Sequence, residues 1–115
     1  MVIETDTLNN MATTYKGYGS WVGLATGNPG TSSTPSNEAT GGSPAYARKN
    51  TTWGSASGGV VNGSAVTIDV AAATYTYVLL ASASSGNNHY DNNTITSVVM
   101  GAQGQIVVTP TFTMT

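Results

Sequence analysis

Val66, Ile68 and Val70 alternate with Thr67 and Asp69. After three alanines and Thr74, Tyr75, Tyr77, Leu79 and Ala81 alternate with Thr76, Val78, Leu80 and Ser82. Strict period two sends successive side chains to opposite faces of an extended chain. The first run has one apolar and one wet face. The second is apolar or aromatic on both, as a central strand is. The alanines between them are too few to nucleate a helix, so the middle of the chain is committed to β-structure.

The flanks extend that reading. Leu8, Met11, Ala12 and Tyr15 fall at i, i+3, i+4 and i+7, the helical period, with Asp6 or Thr7 as caps at the start and Gly17 or Gly19 at the end. Residues 20–25 read as a strand, 26–43 as a long Gly/Pro/Ser/Thr loop, and 45–53 as a strand with Tyr46 and Arg48 opposite Lys49 and Trp53. Gly58-Gly59 turns the chain into a strand at Val60-Val61, and Asn62-Gly63 signals a tight turn or bulge. Residues 84–93 read as a polar loop carrying the single His89, 94–100 as a strand, 101–104 as a turn and 105–113 as the last strand. There Ile106, Val108, Pro110 and Phe112 share a face, and Pro110 marks an edge or bulge. Seven or eight short strands with one N-terminal helix predict an all-β fold, an antiparallel β-sandwich of jelly-roll type. Residues 1–19 form its helical docking segment and 20–115 a single sandwich domain.

Charge narrows what such a fold does. Asp, Glu, Lys and Arg make up 7% of the chain and the net charge is −2, against about 25% charged residues in an average domain. Thr (19), Ser (12) and Asn (10) supply the polar surface instead. Three cations and a pI near 4.8 give no field to gather DNA or anionic lipid, so nucleic acid is not an expected partner. No stretch is long and apolar enough to span a bilayer, so membrane insertion is not expected either. Cysteine is absent. Residues 1–6 carry neither a basic region nor an apolar run, so no secretory leader is read there.

Residues for chemistry are few. His89 and Asp91 share a segment near Ser84 and Ser85, but no nucleophile-elbow pattern surrounds any serine and no second His or Cys completes a metal set. The plain reading of His89 is a solvated loop residue. The carboxylates Glu4, Asp6, Glu38, Asp69 and Asp91 are scattered, leaving glycoside hydrolysis as a remote alternative that only folding could bring about. Gly27-Asn28-Pro29-Gly30 lacks the Lys-Ser/Thr of a phosphate loop and reads as a β-turn. Trp21, Trp53 and the tyrosines could stack on a sugar, although aromatics at period two more often fill a core or a subunit interface. No catalytic residue, cofactor or metal is expected.

Gly41-Gly42-Ser43-Pro44-Ala45-Tyr46-Ala47-Arg48-Lys49 holds two of the three basic residues. This block, with residues 23–30, Glu38-Ala39-Thr40 ahead of it, Trp53, Ile68-Asp69-Val70 and the closing residues 102–109, resembles a group of short stand-alone virion proteins of tailed bacteriophages, many from phages of actinobacteria. The resemblance runs from about Trp21 to the C-terminus. Val78-Leu79-Leu80-Ala81-Ser82 and residues 86–93 depart from its pattern.

The resemblance implies a non-enzymatic structural protein of the virion. Proteins of this group are described variously as capsid-decorating, minor tail or tail-fibre proteins. With no shaft or collagen-like repeat in the chain, the expected role is a capsid decoration protein on the outer shell, a homo-oligomer, specifically a trimer, seated on the major capsid protein and assembled in the host cytoplasm. The alternative is a tail or fibre-tip component that binds a host-surface glycan or protein. The expected interface is Tyr46, Arg48 and Lys49 together with Leu8, Met11 and Tyr15 of the helix. The plain reading of the N-terminal helix is a plug on one end of the domain's own core; if the protein assembles on a particle, that segment and the loop at 26–43 are the expected docking elements, and residues 1–17 could then be removed without unfolding the sandwich.

Overall fold

A computed structural model of the chain describes residues 4–113 and shows one helix followed by eight strands. Residues 1–3 of the expected docking segment lie outside the described residues. Helix α1 spans Thr5–Lys16 and starts earlier than the capping pattern suggests. Glu4, extended at φ −66° and ψ 150°, occupies the cap position without a side-chain cap bond. Asp6 therefore sits inside the first turn and Lys16 in the last, where each charge favours its end of the helix dipole. Gly17 closes the helix, its N–H donating to the Thr13 and Thr14 carbonyls.

The strands are β1 Trp21–Ala25, β2 Lys49–Asn50, β3 Val60–Asn62, β4 Val66–Val70, β5 Ala73–Ala81, β6 His89–Met100, β7 Gly104–Val108 and β8 Thr111–Thr113. All pairings are antiparallel. One sheet has the order β2-β1-β5-β6, and two ribbons pair β3 with β8 and β4 with β7. The two arms of the chain, 60–81 and 89–113, are thus nested: β5 on β6, β4 on β7, β3 on β8. The connections at residues 71–72 and 101–103 lie side by side, because Val70 pairs with Gly104 and Ala73 with Met100. The result is a mostly β, sandwich-like body with one short helix.

Three strand boundaries also differ from the sequence reading. The strand expected over 45–53 shrinks to Lys49–Asn50, because Gly41 and Gly42 take φ values of 79° and 96° and the Tyr46 N–H turns back onto the Gly41 carbonyl at 2.8 Å. The last strand splits at residues 109–110, where proline offers no N–H to a ladder and its carbonyl instead takes the Gly63 N–H at 2.8 Å. The polar loop ends sooner than expected, since β6 begins at His89.

The core lies where β4 faces the larger sheet. Val66, Ile68 and Val70 join Val22, Leu24, Tyr75 and Leu80 in one buried cluster, with Ala39 of the long loop. Burying a Leu, Ile or Val side chain fully contributes about 1.5–3 kcal/mol. The inward phase of β4 therefore decides which face of that strand is wet: Thr67 is exposed and Asp69 half-buried. In β6, three residues, 95–97, stand opposite Thr76 alone, a wide irregularity that twists this long edge strand. The radius of gyration is 14.7 Å and the extents are 47 × 25 × 23 Å, longer than the roughly 13 Å radius of an evenly packed chain this size.

Candidate functional site

Arg48 is where the expected interface changes most. It is 4% exposed and directs all its donors inward. Nε and Nη2 grip the two oxygens of Glu38 at 2.8 and 2.9 Å, a bidentate pair. Nη1 donates to the Ala83 carbonyl at 3.1 Å and Asn88 Oδ1 at 2.8 Å, and Nη2 also to the Gly86 carbonyl at 3.1 Å. An isolated bridge between Glu38 and Ala25 fixes the carboxylate at the edge of β1. Arg48 therefore has no donor left for a neighbouring subunit, and the paired-cation docking point inferred from sequence is corrected: Arg48 is an internal clasp joining the long loop to residues 83–88. Its guanidinium is held above the ordinary arginine range chiefly by the hydrogen bonds to Glu38.

Tyr46 belongs to the same clasp. Its hydroxyl donates to Glu38 Oε2 at 2.7 Å and accepts the Leu24 N–H at 3.2 Å. Gly23 makes this crossing possible: a Cβ there would collide with the Tyr46 hydroxyl and stand 3.0 Å from Leu79 Cδ1. Gln103, from the β6–β7 turn, holds the preceding segment, accepting the Ser43 N–H at 3.1 Å and donating to the Pro44 carbonyl at 3.2 Å. The Gly41-to-Lys49 block and Gln103 are thus physical partners. Lys49 pairs through its backbone with Val22 and is half-buried, with no salt-bridge partner among the described residues.

The helix residues form a second centre. Ala12 is fully buried, Leu8 and Tyr15 are half-buried, and Met11 is 40% exposed. The Tyr15 ring stacks on Phe112 at 3.6 Å between centroids and meets Trp53 and Tyr90 edge-on at 6.2 and 5.9 Å. Its hydroxyl donates to Asp91 Oδ2 at 2.6 Å. Trp53 Nε1 and the Tyr90 hydroxyl converge on the Gly19 carbonyl at 2.9 and 3.0 Å. Helix α1 is consequently built into the body, as the plain reading of its apolar face as a core plug has it, and removing residues 1–17 strips one wall of an aromatic cluster rather than freeing a separable docking segment.

Beside that cluster, between the first half of β6 and the β7–β8 segment, lies an open groove of about 550 Å³. Its apolar lining includes Tyr15, Phe112 and Val108, and its polar lining includes Asp91, Asn93, Thr94, Thr109 and Thr111. Asp91 Oδ1 accepts the Asn92 N–H at 2.8 Å and has no cation partner among the described residues. Tyr15 and Phe112 also line an adjoining hollow of about 300 Å³ with Met11, Thr14 and Tyr18, and Tyr18 is 60% exposed.

His89 is not a solvated loop residue. It is 7% exposed at the start of β6, with Nδ1 3.0 Å from the Ser32 carbonyl and Nε2 3.2 Å from Asn92 Nδ2. Asn92 also donates to the Gly30 carbonyl at 3.0 Å, so the pair pins the 30–33 stretch to the strand. No group of three potential metal ligands occurs among the described residues. Glu38, Asp69 and Asp91 each sit with a separate set of partners: Arg48 and Tyr46, Gln105, and Tyr15 with Asn92.

These tyrosines set the response to alkali. Burial first, then the neighbouring carboxylate, pushes the Tyr15 and Tyr46 phenols well above their ordinary value, and burial pushes Tyr90 up to about 12. In the unfolded chain they release protons near pH 10. The native state holds those protons longer, so stability is fully present below about pH 10 and falls as pH rises beyond it. Urea midpoints are expected to be flat between about pH 7 and 9 and to drop above about pH 10, with a smaller drop in Tyr15→Phe. A midpoint unchanged across that upper range contradicts the assignment.

No protein-family model, curated protein or solved structure matches the chain.

Proposed function

We propose that the chain is a non-enzymatic structural protein of a tailed-bacteriophage virion, a head-decoration protein seated as an oligomer on the outer shell. The observation that carries this reading is the internal clasp. Arg48, the chain's one arginine, spends every donor on holding two surface loops rigid, and the outer coat left behind is mostly Thr, Ser and Asn. A rigid body with few charges can be repeated at high density without self-repulsion. The nested pairing of β3 with β8, β4 with β7 and β5 with β6 supports reading the sandwich as a jelly-roll type in which one long hairpin is wrapped on itself. Met11, Lys49 and the exposed Val99 and Val107 are the surface residues this role would place against neighbours, here proposed as copies within a trimer and the major capsid protein.

A tail or fibre-tip role is the second reading, and the groove beside Tyr15 is the observation that favours it. Hydrolysis gains no support from that groove: Asp91 is its sole carboxylate among the described residues, whereas glycosidases use two across the scissile bond. Quantitative mass spectrometry of purified virions decides between head and tail. Decoration predicts a copy number comparable to that of the major capsid protein. A handful of copies per particle supports the tail, and absence from particles overturns both readings.

A further inference from the structure

We propose that the groove between the start of β6 and the β7–β8 segment is a binding site for an uncharged oligosaccharide. The lining combines three chemistries that a sugar uses together. Among the described residues Asp91 is an acceptor without a cation; two of its lone-pair sites are taken by the Tyr15 hydroxyl and the Asn92 N–H, and a carboxylate has about four. The remainder suit paired hydroxyl donors, and charge-assisted bonds of this kind are about twice as strong as neutral ones. Asn93, Thr94 and Thr111 are exposed along the groove and short, so ordering them on a ligand costs little rotamer entropy. Tyr15 and Phe112 contribute apolar surface for the C–H face of a pyranose. They also line the adjoining hollow toward Tyr18, giving an extended chain a second contact.

Charge selects the class within carbohydrates. Asp91 is the one charged residue among the described residues that line the groove, so sulfated, phosphorylated or sialylated glycans meet repulsion with no basic residue of that lining to offset it. The volume of about 550 Å³ lies within the range of small-molecule sites, about 300–1,000 Å³, and the groove opens to solvent, so an extended chain can reach it.

The site does not depend on where in a particle the protein sits, so its test is separate from copy number. The ¹⁵N-labelled full chain is titrated with uncharged di- to tetrasaccharides of glucose, galactose, mannose and N-acetylglucosamine, up to about 10 mM, above the weakest specific affinities. Sialyllactose and a heparin tetrasaccharide serve as anionic controls. At least one uncharged sugar is expected to give saturable shifts at the amides of residues 92–95 and 109–112, with none from the controls. Asp91→Asn is expected to weaken that binding about tenfold, the equivalent of about 1.4 kcal/mol. Asn93→Ala, whose side chain holds no other element, is expected to weaken it without changing the thermal midpoint. Silence from every uncharged sugar, equal binding of the controls, or shifts confined to other residues overturns the proposal. Groove shifts that appear only on raising protein concentration do so in favour of a strand from a second copy.

Discussion

Replacing Arg48 with Met is expected to lower the unfolding free energy by about 3 kcal/mol, the lower end of the range for breaking a buried ion pair by removing one partner. The lower end applies because the Ala83 and Gly86 carbonyls belong to a surface loop and can turn to water. Glu38, whose side chain is 20% exposed, has less freedom, since the bridge to Ala25 holds its backbone at the edge of β1. Its carboxylate would be stranded beside Tyr46. Arg48→Lys should recover little, because one ammonium cannot span a bidentate carboxylate, two carbonyls and the Asn88 amide oxygen together. Pairing Arg48→Met with Glu38→Gln should recover more, as no charge is then left alone. Urea unfolding at low and high salt reads these effects. A loss below about 1 kcal/mol, or one that disappears in high salt, would mark Arg48 as an ordinary surface pair.

Tyr15→Ala is expected to cost a similar amount, about 3 kcal/mol, at the low end for aromatic truncation because the ring is only half-buried. The loss combines the stacked contact with Phe112, the edge contacts with Trp53 and Tyr90, and the hydroxyl bond to Asp91. Tyr15→Phe separates these, keeping the ring and losing about 1 kcal/mol for the bond. Hydrogen exchange should show the helix amides losing protection in Tyr15→Ala while β1 and β5 keep theirs. Unchanged helix protection would mean that α1 is anchored elsewhere, through Ala12 and the bond from the Gly59 N–H to Asn9 Oδ1.

How far the sequence carried is seen in particular residues. The helix, β1, β4 and β5 were legible because their periods are long enough to be read and nothing else competes for their backbone bonds. The segment 45–53 misled, since Tyr46, Arg48 and Lys49 alternate as a strand does while their partners lie far along the chain. Gln103 reads the Ser43-Pro44 backbone from 59 and 60 residues away, and no local pattern announces that. The Arg48–Glu38 pair had a usable signal. In a chain with one arginine, a carboxylate ten residues upstream is a strong candidate partner, and scarcity of charge points to internal use. His89 misled because Ser and Asn around it look solvated, yet its ring bonds reach the Ser32 carbonyl across 57 residues. The groove had no signal at all, being assembled from α1, β6 and the β7–β8 segment.

The clasp also bears on how this chain can change over generations. Arg48 recognises residues 83–88 through the main-chain oxygens of Ala83 and Gly86 and the one side chain of Asn88. Gly86 is held to its identity by a φ of 94°. Ser84, Ser85 and Asn87 are exposed, and their side chains take no part in the clasp. The loop can therefore keep its shape while its outward lettering drifts, so that whatever reads this end of the molecule meets a variable text on a constant page.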